Sequence, residues 1–259
     1  MRRFVQALSS GSGLPPSLPD GVRRALVELP DRYNISVRQP AGVLLAIDGL
    51  WHVGQLLWGL IPSWEKEPAT RYSTQAARLD RAPKSRMYRR AWAARRCVVP
   101  LTGYYKWDRG DAASGQSRRQ PYFVQASDGA VLFAAGLWEC WQGTHAAPVD
   151  DDAAAAQAAP VEPVYSFAVL TRPDDAIPSP LTPDGPVFLA ADQLDDWVTT
   201  DPRRAMRLAQ RATTPPLEAY PVSRRVADRR VDHYSLLEPA DPAEAQVDYA
   251  DSDEFAEDE

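Results

Sequence analysis

The chain has 259 residues, of which 44% are hydrophobic and 25% charged, with a formal net charge of −6; this length can bury one sizeable core and still leave a tail. No run of about 18 apolar residues occurs, so a helical membrane span is excluded, and the apolar stretch within Met1 to Gly13 is too short for a signal peptide. The expectation is a cytoplasmic protein without a membrane partner. Two cysteines (Cys97, Cys140) and three histidines (His52, His145, His233) lack ligand spacing. They support neither a metal site nor a disulfide framework, and no cofactor is called for. Both cysteines read as buried small hydrophobes.

In chain order, Met1 to Gln6 is a short strand and a Gly/Ser/Pro-rich loop follows to Asp20. Gly21 to Leu29 carries Val22, Leu26 and Val27 at helical spacing and stops at Pro30, which predicts a short helix. Asp31 to Gln39 looks extended. Val43 to Ile47 and His52 to Trp58 are apolar runs flanking Asp48-Gly49, the signature of a tight hairpin. A rigid aromatic loop, Trp58 to Trp64, comes next.

The stretch from Tyr72 to Trp107 organises the reading. Lys84 to Arg96 is a basic, helix-like run that feeds an apolar strand, Cys97 to Leu101, and an aromatic one, Tyr104 to Trp107. Guanidinium groups for phosphates beside flat rings for unstacked bases are what a single-stranded nucleic-acid groove requires. A solvent-facing helix beside an ordinary core strand fits the same composition.

Arg109 to Arg119 is a polar connection, and Pro121 to Ala126 with Val131 to Trp141 reads as a second hairpin around Ser127-Asp128-Gly129. Residues 143–163 are low in complexity and read as a surface insertion. Val164 to Thr171 and Val187 to Leu189 are strands. Asp192 starts a helix that buries Leu194 and Trp197, a second helix covers Pro202 to Gln210, and Glu218 to Val222 is a last strand. Many short strands with a few edge helices indicate an α+β fold, a single domain over 1–238 with a β-rich core. Of the 35 acidic residues, nine lie between Pro239 and Glu259 with no basic one; the remaining 26 face 29 Lys and Arg, so the body is about +3. Residues 239–259 are expected to be a disordered acidic tail.

The order of RYNI (Arg32 to Ile35), WGLIPSW (Trp58 to Trp64), AR-x-D (Ala77 to Asp80), SRMY (Ser85 to Tyr88), RRCVVPLTGYYKW (Arg95 to Trp107), FAAGLWE (Phe133 to Glu139) and AVLTR (Ala168 to Arg172) resembles the SOS-response-associated peptidase family, the abasic-site processing proteins. The resemblance implies an open barrel-like core and a role in the DNA damage response. It also implies binding of single-stranded DNA at abasic sites, with a thiazolidine cross-link formed by an N-terminal cysteine. Against the family pattern Met-Cys-Gly-Arg-Phe, this chain begins Met1-Arg2-Arg3-Phe4.

Three further active positions depart from the family pattern. Ala76 stands for an asparagine, Lys106 for a catalytic glutamate and Thr182 for a histidine, and threonine is no general base near neutral pH. Gln75 could replace the lost amide, but a one-residue slip along a strand points it to the opposite face. With Arg2, Ala76, Lys106 and Thr182 all degenerate, the expectation is a pseudoenzyme. A desolvated Lys106 retains the chemistry to attack an aldehyde as a Schiff-base amine. For DNA binding the resemblance implies phosphate contacts from Arg3, Arg78 and Arg86 and a wedge from Trp64. Glu65 and Asp184 stand where they would weaken the contact. The expected partner is single-stranded or junction DNA; the alternative is a protein-interaction scaffold acting through the acidic tail or through an active family member.

Overall fold

Asp48 and Gly49 both sit at positive φ, 51° and 76°, the backbone geometry a two-residue hairpin turn needs. They join β3 (Pro40–Ile47) to β4 (Leu50–Trp58), paired from Pro40↔Leu57 to Ile47↔Leu50. The computed structural model describes residues 1–108, 119–143, 162–174 and 176–241. Most of the expected insertion, the polar connection up to residue 118 and most of the acidic tail lie outside the described residues.

Around this hairpin a ring closes. β3 pairs with β6 (Arg96–Leu101), β6 with β9 (Leu132–Trp141), and β9 with β10 (Val164–Pro173). β10 returns to β4 in parallel at Ser166↔Leu57 and Phe167↔Trp58, while the short β11 (Asp184–Pro186) and β12 (Phe188–Leu189) add to β10 and β9. The barrel-like core is therefore five strands without a free edge between them. Period-two alternation sorts its side chains. Val43, Leu45, Cys97, Val99, Phe167 and Val169 enter one cluster, together with Phe4, Ile35 and Tyr104. Leu44, Val98, Ala135, Ala168 and Leu170 face the other way, into a cluster shared with the helices.

Those helices are α1 (Asp20–Val27), α2 (Arg89–Ala94), α3 (Leu194–Thr199) and α4 (Pro202–Arg211). Trp197 on α3 is fully buried, meets Trp92 edge-on at 5.8 Å and donates its indole N–H to the Cys97 carbonyl at 2.8 Å. Truncating such a residue costs about 3–5 kcal/mol. α4 is capped by Asp201, whose carboxylate accepts from the Arg203 and Arg204 backbone N–H groups, with Pro202 at the first helical position. Among the described residues no helix is long and apolar enough to cross a membrane.

A second sheet runs in the order β13 (Leu217–Pro221), β8 (Pro121–Ala126), β7 (Gly103–Trp107), β1 (Arg3–Gln6), β2 (Arg32–Ser36), all antiparallel. This overturns the second hairpin. β8 lies between β7 and β13, whereas β9 belongs to the ring, so the 127–129 turn carries the chain from one sheet to the other. The Val131 N–H bonds the Gly13 carbonyl at 3.0 Å, fixing the crossing.

The basic run also differs from the expectation. Only Arg89–Ala94 is helical; residues 81–88 are turns, and Arg96 already belongs to β6. Cys140 is half-buried, unlike the sealed Cys97.

Candidate nucleic-acid interface

β1 lies between β2 and β7, with Arg3 opposite Ser36 on one side and Tyr105 on the other. Its first residues therefore open onto the sheet's end beside the 223–232 segment. That segment is held by one buried amide. Asn34, on β2, donates to the carbonyls of Val226 (3.3 Å), Asp228 (3.0 Å) and Val231 (2.7 Å), while the Asp232 carboxylate accepts the Tyr33 and Asn34 N–H groups. Arg3 completes the junction by donating to the Asn34 side-chain oxygen at 3.0 Å and the Ala227 carbonyl at 2.5 Å. On the other wall Arg38 adopts φ of 69° and donates to the Thr70 carbonyl at 2.9 Å.

The result is an open groove of about 920 Å³ lined by Arg2, Arg3, Arg38, Arg71, Arg119 and Arg229, with Tyr72, Trp107 and Gln75 in the wall and no acidic side chain among the described residues that form it. Burial pushes the Arg3 guanidinium below its ordinary value, Asp228 pulls it back, and an arginine keeps its charge regardless.

A side pocket of about 400 Å³ shares Arg2, Trp107 and Arg119 with the groove and adds Lys106, Thr182 and Asp184. Lys106 is 6% exposed. Its ammonium donates to the Thr182 carbonyl at 2.7 Å, to the Asp184 carboxylate at 3.2 Å and to the Asp184 carbonyl. Three acceptors meet three N–H groups, so this lysine clamps the 181–184 segment to β7. Burial lowers its pKa from the ordinary lysine value and the Asp184 charge partly restores it. For Asp184 burial pushes upward, but the hydrogen bond from Thr182 and the Lys106 charge outweigh it and hold the carboxyl below its ordinary value.

Arg2, Lys106 and Thr182, distant in sequence, thus come together here. Ala76 does not line either cavity; it starts β5 (Ala76–Arg78), paired in parallel with β10 at Val169↔Ala76. Gln75 does line the groove, its side-chain oxygen accepting from the Ser73 hydroxyl at 2.9 Å. It precedes β5, so strand alternation does not turn it away.

Of the expected DNA contacts, Arg3 lies in the groove but is partly engaged by Asn34 and Ala227. Arg78 is bound through two nitrogens to Asp80, at 3.0 and 3.1 Å, outside the groove wall. Arg86 stacks 4.9 Å over Trp64, Trp64 meets Tyr72 edge-on at 6.5 Å, and Arg71 lies 5.2 Å over Tyr72. This row of two rings in edge contact, with a guanidinium over each, ends in the groove, with Trp64 36% and Tyr72 46% exposed. Glu65 accepts from the Thr70 hydroxyl at 2.9 Å.

The aromatic wall is elsewhere than expected: Tyr104 and Tyr105 are fully buried, and only Trp107 of that strand reaches the groove. Arg95 pairs with buried Glu139 and stacks 5.4 Å over Trp138. Arg96, 5% exposed, donates to the carbonyls of Trp197, Trp92 and Thr200. Sequence reasoning missed Arg38, Arg71, Arg119 and Arg229. Arg71-Tyr72, a cation beside an aromatic after the Trp64 loop, was the readable signal; the others converge only through the fold.

Comparison with known proteins identifies relatives of the whole domain. The chain is 25% identical over 209 residues to the abasic site processing protein YoaM of Bacillus subtilis, covering 80% of this chain and 84% of that protein. It is 24% identical over 224 residues to YoqW, of the same description and organism, covering 85% and 89%. In fold it resembles a Bacteroides thetaiotaomicron protein of solved structure, with a TM-score of 0.64 at 17% identity over 93% of this chain and 97% of that one. The family model described as SOS response associated peptidase (SRAP) matches residues 14–229. The order of motifs, the barrel beside a second sheet and this match together place the chain in the SRAP family.

Proposed function

We propose that the chain binds single-stranded DNA along the arginine groove and does so without a cysteine cross-link. The carrying observation is the convergence of six arginines with no acid among the described residues of the wall, next to exposed Tyr72 and Trp64. Phosphates take the guanidinium groups, and unstacked bases, which present a π-face whatever the sequence, take the rings. The relatives described as abasic site processing proteins support a DNA strand as the ligand class.

Cross-linking needs a thiol at the strand, and neither cysteine supplies one. Cys97 is sealed in the barrel, where burial pushes its thiol well up, and Cys140 lies on β9, away from both cavities. The Lys106 ammonium, engaged by three acceptors, is a clamp in this reading and not the amine that attacks an aldehyde.

Fluorescence anisotropy with a labelled single strand, intact or carrying one abasic site, tests this. Four arginines, with Arg3 and Arg38 left out because backbone carbonyls already engage them in part, give a log–log salt slope of about −2.8 at roughly 0.7 per contact. Arg38→Glu/Arg71→Glu weakens binding by roughly 100-fold in low salt, about tenfold per reversed charge. Denaturing gels show no covalent adduct with the abasic strand. Absence of binding in low salt, with residues 242–259 either present or removed, rejects the reading.

A further inference from the structure

The groove's charge has a counterpart in the same chain. Residues 242–259 hold eight carboxylates and no basic side chain, against six arginines and no acid among the described residues of the groove wall. The position where the described chain ends brings the two within reach. Pro239 bridges Val222, the Ala240 N–H bonds the Pro221 carbonyl at 2.9 Å, and the Gln120 amide donates to the Val222 carbonyl at 2.7 Å. Gln120 is the chain neighbour of Arg119, which lines both the groove and the side pocket. The described chain therefore ends at the sheet edge beside the groove mouth.

We propose that residues 242–259 occupy the arginine groove when no strand is present, so that single-stranded DNA binds by displacing an internal acidic segment; the proposal rests on the groove being the DNA site. Eighteen residues reach as far as about 60 Å when extended, so length sets no barrier. Tethering raises the local concentration of the segment to the order of millimolar, so that a weak contact suffices to compete. Tyr249 and Phe255 stand among the acids, and they give the segment rings to lay on Trp64 and Tyr72 while its carboxylates meet the guanidinium groups. In this respect it presents the groove with the same two chemistries as a DNA strand.

The test compares three proteins by anisotropy with a labelled oligo-dT: the full chain, the chain truncated after Asp241, and the full chain with the eight acids replaced by their amides. The expected result is that truncation and amidation each tighten binding by about 5–30-fold at 50 mM salt, with the gap closing as screening increases. The amide variant keeps the chain length, so it separates charge from any effect of shortening. Equal affinity for all three proteins overturns the proposal. If none of them binds oligo-dT, it is the DNA reading that fails. The contact is then decided by titrating a synthetic 242–259 peptide into the truncated chain and following tryptophan fluorescence: salt-sensitive saturation supports it and a flat titration overturns it.

Discussion

Two regions of this molecule are rich in arginine, and they use it in opposite ways. At the junction of α2 and β6, Arg95 and Arg96 are adjacent in a conspicuously basic run. One is paired with buried Glu139, the other is enclosed by three backbone carbonyls. In the groove, arginines drawn from the two ends of the described chain and from three loops between them face a common space with no acid among the described residues of its wall. Charge density along a sequence is therefore a poor guide to charge density in space. A buried guanidinium needs its donors satisfied and is held by the fold, while one that meets a ligand must keep donors to spare, as Arg38 does beyond its single bond to the Thr70 carbonyl.

The sharpest way to break the contrast is Arg96→Ala. It removes the donor to the carbonyls of Trp92, Trp197 and Thr200 and the cation stacked 5.7 Å over the Trp197 ring. Leaving buried acceptors unmet and a cavity beside α3 should cost about 3–5 kcal/mol, read from urea unfolding. Lysine should not rescue it, because a single ammonium cannot span the planar fork of acceptors. The fraction still folded should bind single-stranded DNA as the parent does. Loss of DNA affinity with unchanged stability would place Arg96 with the groove arginines after all.

Sequence carried the local parts of this picture and missed those fixed at long range. The β3–β4 hairpin was legible because Asp48-Gly49 determines it by itself. The Trp197 helix was legible from the spacing of Leu194 and Trp197. The β8–β9 hairpin was misread because the turn signal at Ser127-Asp128-Gly129 is real, yet β7 and β13 already occupy both edges of β8. Ring closure rests on the parallel β10–β4 pairing, which no local pattern announces. In the site, the resemblance singled out Arg2, Lys106 and Thr182, which do converge. Arg38 and Arg229 reach one groove only because Asn34 fastens the 223–232 segment to β2 through backbone carbonyls, bonds that leave no mark in the sequence.

Lys106→Met tests the contrast at the groove's own border, where a cation is committed to the fold. At neutral pH the change relieves a buried ammonium but deprives the Thr182 and Asp184 carbonyls of their donor. The net effect should be a loss of about 1–2 kcal/mol and less than a threefold change in DNA affinity. The pH dependence has a definite sign. Burial holds the folded pKa of Lys106 below 10.5, so between that lowered value and 10.5 the unfolded chain binds more protons than the folded one. Stability from this group rises with pH across the window. Urea midpoints at pH 7, 9 and 10 should therefore show the wild type gaining on Lys106→Met as the solution becomes alkaline. A wild type that loses ground to the variant over that range would show that the ammonium is not desolvated.

The smallest effect belongs to Arg78, and it discriminates best between motif and geometry. The resemblance makes it a phosphate contact, yet its guanidinium is bound side-on by Asp80 and it lies outside the groove wall. Asp80 is held below its ordinary carboxylate pKa by that hydrogen bond and the adjacent charge, so the pair stays ionised and its exposed charges largely cancel. Arg78→Glu should change stability by less than about 0.5 kcal/mol and DNA affinity by no more than about threefold. Asp80→Ala, which frees the guanidinium, should tighten binding by a similar factor. If Arg78→Glu instead matches the loss seen on reversing Arg38 and Arg71, the strand must leave the groove across β5, and Asp80 is a partner that Arg78 exchanges for phosphate.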